Sequence, residues 1–61
     1  MKHTFIVKFR INESKNNRND SFEAFTPQEA AELCREHYAD AINDCHVIST
    51  LNLDTLSTYS F

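Results

Sequence analysis

The segment Ser21-Phe22-Glu23-Ala24-Phe25-Thr26-Pro27-Gln28-Glu29-Ala30-Ala31-Glu32-Leu33 sets a short alternating run directly against a helix start. Thr26 offers a hydroxyl for the N-cap, and Pro27 suits the first helical position, where its fixed φ is right and its missing N–H costs nothing. Glu29 stands three residues after the cap, at the capping-box spacing. A strand must therefore end and a helix begin at this corner, and the rest of the chain has to be arranged around it.

Upstream of the corner, residues 3–12 alternate, with Phe5, Val7, Phe9 and Ile11 on one face and Thr4, Ile6, Lys8 and Arg10 on the other. A period of two in aromatic and branched residues predicts a strand with one buried face. Asn12 to Asp20 is polar throughout and reads as an exposed hairpin loop. The chain contains no glycine, so asparagine and aspartate are the residues best suited to left-handed backbone positions there. The second strand, Ser21–Phe25, pairs antiparallel with the first and adds Phe22 and Ala24 to the buried face, while Phe25 is placed to pack on Ala30 as a hydrophobic staple.

The helix is expected to run from Pro27 to about Ile42. At 100° per residue, Ala30, Ala31, Cys34, Tyr38, Ala41 and Ile42 share a side, with Leu33 and His37 at its edge. Gln28, Glu29, Glu32, Glu36 and Asp40 take the solvent side. Asn43-Asp44 reads as the exit, and Cys45–Leu53 as a third strand with Cys45, Val47, Ser49, Leu51 and Leu53 opposite His46, Ile48 and Thr50. Residues 54–61 read as an edge strand or a flexible tail. The expected fold class is α+β: a three- or four-stranded antiparallel sheet in the order β-β-α-β, with one helix packed on one face.

With 61 residues there is room for one small domain, and chains this short bury only about 60% of their unfolded surface. The 41% hydrophobic and 25% charged content is globular rather than disordered. No run approaches the length of a membrane span, and Met1-Lys2-His3 leads into the first strand without a signal-peptide core, so the expected compartment is the cytoplasm. Cys34 and Cys45 are then expected as reduced thiols rather than a disulfide.

The net charge of −3 conceals an asymmetry. Lys2, Lys8, Arg10, Lys15 and Arg18 outweigh Glu13 in the first 19 residues, for a net +4; from Asp20 onward Arg35 alone opposes Asp20, Glu23, Glu29, Glu32, Glu36, Asp40, Asp44 and Asp54, for a net −7. A basic hairpin is thus joined to an acidic helix.

Most catalytic chemistries lack their parts. Cys34 falls in the middle of the apolar helix face among glutamates, which raise rather than lower a thiol pKa. The helix carboxylates form a solvated stripe, and without glycine every phosphate-cradling loop motif is missing. The expectation is no enzyme activity and no cofactor. Cys34 and His37, three apart on the helix, followed by Cys45-His46, make a zinc-stapled domain an alternative. Adjacent strand residues point to opposite faces, however, which opposes convergence of all four.

The basic hairpin is the stronger functional candidate. Lys8 and Arg10 project from the outer sheet face, Lys15 and Arg18 decorate the loop, and Ile6 and Ile48 supply apolar contact between them. These six residues are the candidate partner-binding set. Basic residues on exposed strands often serve only to discourage edge-to-edge aggregation. Nucleic acid is the alternative partner, at odds with the overall acidity unless the helix faces away. If Leu56, Tyr59 and Phe61 are not docked, they join the outward isoleucines Ile6 and Ile48 as exposed apolar area that favours self-association as a homodimer or a partner interface.

Taken together, Phe5-Ile6-Val7-Lys8-Phe9, the Ser21–Ala31 corner and Val47-Ile48-Ser49 give a layout over residues 4–50 that resembles small β-β-α-β proteins of phages and mobile elements, including some anti-CRISPR inhibitors of type I-F interference complexes. The resemblance implies a non-enzymatic inhibitor or adaptor that binds a host or phage protein complex. Lys8, Arg10, Lys15 and Arg18 are the positions able to mask a surface that otherwise holds nucleic acid.

Overall fold

A computed structural model describes residues 1–12 and 15–61; of the expected hairpin loop, Glu13 and Ser14 lie outside the described residues. The elements are β1 (His3–Ile11), β2 (Arg18–Ala24), α1 (Pro27–Tyr38), β3 (Cys45–Asn52) and β4 (Ser57–Ser60). They form one antiparallel sheet in the order β2-β1-β3-β4 with a single helix, an α+β fold. β1 is central because its alternation gives it a full apolar row to share with both neighbours. Phe5, Val7 and Phe9 are buried, and Ile11 packs partly buried at the end of the row.

The loop before β2 is shorter than expected, since pairing runs from His3↔Ala24 to Phe9↔Arg18 and draws Arg18, Asn19 and Asp20 into the strand. Asp20 has a reason to be there: its carboxylate accepts the Tyr38 hydroxyl at 2.5 Å. Paired residues share a face, so Arg18, Asp20, Phe22 and Ala24 lie on the helix side of β2.

At the corner, Thr26 has extended backbone (φ −135°, ψ 158°) and its Oγ1 accepts the Glu29 N–H at 3.1 Å. Phe25 is not a buried staple. It is 54% exposed, with the Lys2 ammonium 5.7 Å from its ring centroid. Ala30, Ala31 and Cys34 are fully buried against the sheet, and two alanines in succession let α1 approach it closely.

The helix ends at Tyr38, four residues earlier than the periodicity suggests. Asp40 competes with it: its Oδ1 accepts the N–H groups of Ile42 (2.8 Å) and Asn43 (2.7 Å), closing a side-chain turn that replaces further helical bonds. Ala41 and Ile42 are therefore exposed, Ile42 at 88%, instead of belonging to the core. Asn12 ties this turn to the sheet. Its left-handed backbone (φ 55°) is the asparagine conformation expected in a glycine-free chain, and its side chain bonds the Asp44 N–H at 2.8 Å and the Asn43 amide oxygen at 2.7 Å.

β3 departs from simple alternation. Lys8 pairs with Ser49 and Phe9 with Val47, which leaves Ile48 as the extra residue of a β-bulge. Beyond it the phase inverts: Thr50 turns inward opposite Val7 and is 1% exposed, whereas Ser49 and Leu51 turn outward opposite Lys8 and Ile6. This reverses the expected faces of Thr50, Ser49 and Leu51. Residues 54–61 are not a loose tail, because Ser57–Ser60 pairs with Ser49–Asn52 and the Phe61 N–H reaches the Ile48 carbonyl at 2.9 Å. The β3–β4 turn is held by the Asn52 side chain, which accepts from Asp54 and Thr55 N–H, and by Leu56 at φ 59°.

Candidate interaction face

One helix covers one side of a four-stranded sheet, so the other side is open. The register writes its rows directly. One row runs Ser21, Ile6, Leu51, Thr58, and the next runs Asn19, Lys8, Ser49, Ser60, with Arg10 beside His46 beyond them. Ile6 and Leu51 are half-buried neighbours at the centre. Lys8 and His46 are exposed, and Arg10 is half-buried along its own strand. Glu23, opposite Thr4, is the acidic residue of these strands that shares this face. An apolar pair flanked by two fixed cations and ringed by hydroxyls and an amide can dock a mixed protein surface and donate to acidic groups on it.

The six residues singled out in the sequence are divided by the fold. Ile6, Lys8 and Arg10 share the open face. Ile48 lies at the bulge and is half-buried. Lys15 is exposed in the turn before β2, while Arg18 pairs with Phe9 and so lies on the helix side, near the Asp20–Tyr38 pair. Leu51 was missed because the bulge inverts its phase, and the successive Val47-Ile48 was the one hint of it. The Asp20–Tyr38 pair had a signal as well, since a tyrosine within an apolar helix stripe needs a partner for its hydroxyl. That bond, followed by the Ser21 N–H, holds the Asp20 carboxyl below its ordinary value of 3.8, and the same bond pushes the Tyr38 phenol above 10.0.

The helix presents the opposite charge on the far side of the molecule. Glu32, Glu36 and Gln28 are exposed there, and Asp40 beyond them is held below its ordinary value by the backbone N–H groups of Ile42 and Asn43. Cations on the sheet face and carboxylates on the helix face give the domain two ends of unlike potential.

The cysteines and histidines do not gather at one point. Cys34 and Cys45 meet with their Sγ atoms 3.6 Å apart. His37 lies against the Tyr38 and Phe22 rings, at 4.7 and 6.2 Å between centroids, and His46 is on the open sheet face. Among the described residues no three His, Cys, Asp or Glu side chains are placed to share a metal ion. Burial, followed by the Cys45 hydrogen bond, pushes the Cys34 thiol up to about 12.

At one end of the sheet a hollow of about 690 Å³ is lined by Asn12, Arg35, Ala39, Asp44, Cys45 and His46. Among the described residues no helix is long and apolar enough to cross a membrane. No protein-family model matches the chain, and no match to it was found among curated proteins or among solved structures.

Proposed function

We propose that the protein is a small non-enzymatic interaction module that binds a host or phage protein complex through its open sheet face, in the manner of a phage or mobile-element inhibitor or adaptor. The observation that carries this reading is the juxtaposition of Ile6 and Leu51 with Lys8 and Arg10 on the sheet face opposite α1, which no element among the described residues covers. Apolar contact supplies the area, and the cations set orientation against an acidic partner. Lys15 extends the basic surface past the end of β1. Arg18, on the other side of the sheet, is not part of the primary contact.

Nucleic acid is less well served by this face. Among the described residues its strand positions carry no phenylalanine or tyrosine on which a base could stack, and a single imidazole, His46, at one end. The deciding experiment is capture of protein partners from host lysate with the wild type and with Lys8→Glu/Arg10→Glu. Partners lost in the double variant support the reading, and partners retained in full refute it. A gel shift that weakens steeply with salt would instead assign the cations to nucleic acid.

A homodimer is part of the same proposal, and β4 is the edge it would use. Ser57–Ser60 has no charge or proline to block strand addition, and Tyr59 and Phe61 are 44% and 48% exposed beside it. Sedimentation of the wild type against Thr58→Lys tests this, with a dimer in the first and a monomer in the second.

A further inference from the structure

Cys34 and Cys45 come from different elements, α1 and β3, yet their Sγ atoms are 3.6 Å apart in the core. A disulfide needs a separation of about 2.05 Å, so the gap to close is small. The two thiols differ in access. Cys34 is 0% exposed, whereas Cys45 is 9% exposed and lines the hollow between the end of β1, the last turn of α1 and the start of β3. Arg35, His46 and Asp44 also line it, so a fixed cation and an imidazole stand at the hollow beside one carboxylate. We propose that this pair is a redox-active dithiol, converted to an intramolecular disulfide by a small anionic disulfide of the glutathione class that enters through the hollow.

The step balances. The Cys45 thiolate attacks one sulfur of the oxidant, the oxidant's S–S bond breaks, and one glutathione leaves and takes up a proton. Cys34 then loses its proton and attacks the Cys45 sulfur of the mixed disulfide, releasing the second glutathione. Two protein S–H bonds are replaced by one S–S bond, and the two electrons end on two glutathione thiols. Cys45 has to act first because Cys34, enclosed and with its thiol pushed up to about 12, is costly to ionise before its neighbour has reacted. The product staples α1 to the sheet at the end where the helix stops, which matters in a domain with so small a core.

The test incubates the folded full chain in graded mixtures of reduced and oxidised glutathione, followed by acid quench, alkylation and mass spectrometry. The expected product is a chain lighter by two hydrogens, with Cys34 linked to Cys45, no glutathione retained and reversal by dithiothreitol. Its melting temperature should rise on the order of 10 °C, as expected for closing a loop of about a dozen residues. Cys34→Ala should stop at a glutathione adduct on Cys45. Folded wild type that stays a dithiol at every ratio, that ends as a mixed disulfide or that links only between chains would overturn the proposal, whatever the fate of the variant.

Discussion

Thr50→Val should stabilise the protein. The bulge at Ile48 carries Thr50 onto the helix side of the sheet, opposite Val7 on β1 and Tyr59 on β4, where it is 1% exposed. Its Oγ1 has no hydrogen-bond partner among the described residues. A hydroxyl taken out of water without a partner costs about 1–3 kcal/mol by mutational measure. Valine keeps the branched shape and suits a strand at least as well. The gain is therefore about 1–2 kcal/mol, which in a domain of this size shifts the melting temperature upward by about 5–10 °C. Thermal unfolding followed by circular dichroism measures it, with urea unfolding at constant m-value to show that the compactness of the unfolded chain is unchanged. Thr50→Ser, which keeps the hydroxyl and removes the methyl, should melt below the wild type. A lower melting temperature for Thr50→Val would mean that the hydroxyl is bonded, and the inverted phase of β3 beyond Ile48 would have to be abandoned.

Thr26→Ala removes the acceptor for the Glu29 N–H and should cost about 1 kcal/mol, seen as a lower urea midpoint, while Thr26→Ser should cost little. Leu56 is 75% exposed and holds φ 59°, so Leu56→Asn gives up little burial, relieves a left-handed leucine and should gain on the order of 0.5–1 kcal/mol in the same titration. Tyr38→Phe changes the pH dependence of stability at both ends. Asp20, held below 3.8 chiefly by Tyr38, contributes stability that is present above 3.8 and lost as pH falls through its folded value; Tyr38, raised above 10.0, contributes stability present below 10.0 and lost as pH rises through its folded value. The variant should lose the alkaline dependence due to Tyr38 and keep only the weaker acid dependence due to the Ser21 N–H, as read from melting temperatures across pH. An unchanged profile would sever the Asp20–Tyr38 link.

Much of the fold follows from local rules acting within a few residues. The alternation of Phe5, Val7 and Phe9 specifies a strand whatever surrounds it, because side-chain direction repeats every two residues. Thr26-Pro27 and Glu29 specify a helix start because a capping hydroxyl, a preset φ and orphan N–H groups are local chemistry. The α+β class, the burial of Ala30, Ala31 and Cys34 and the position of Lys8 and Arg10 on the outer face all descend from those two patterns.

Where an element stops or changes phase depends on partners distant in the chain. Asp40 ends α1 in a turn that Asn12 ties to β1, Asp20 joins β2 by meeting Tyr38 across the core, and the Ile48 bulge exists only because β1 dictates the register of β3. Those long-range pairings sent Thr50 inward and Leu51 outward, separated Arg18 from Lys8 and Arg10, and brought Cys34 to Cys45. Local patterns along the chain specify which segments can be strand or helix and which side chains carry charge. Which of them share a face follows only from the pairing of distant strands, because facing is set by register, and register is a property of two strands rather than one.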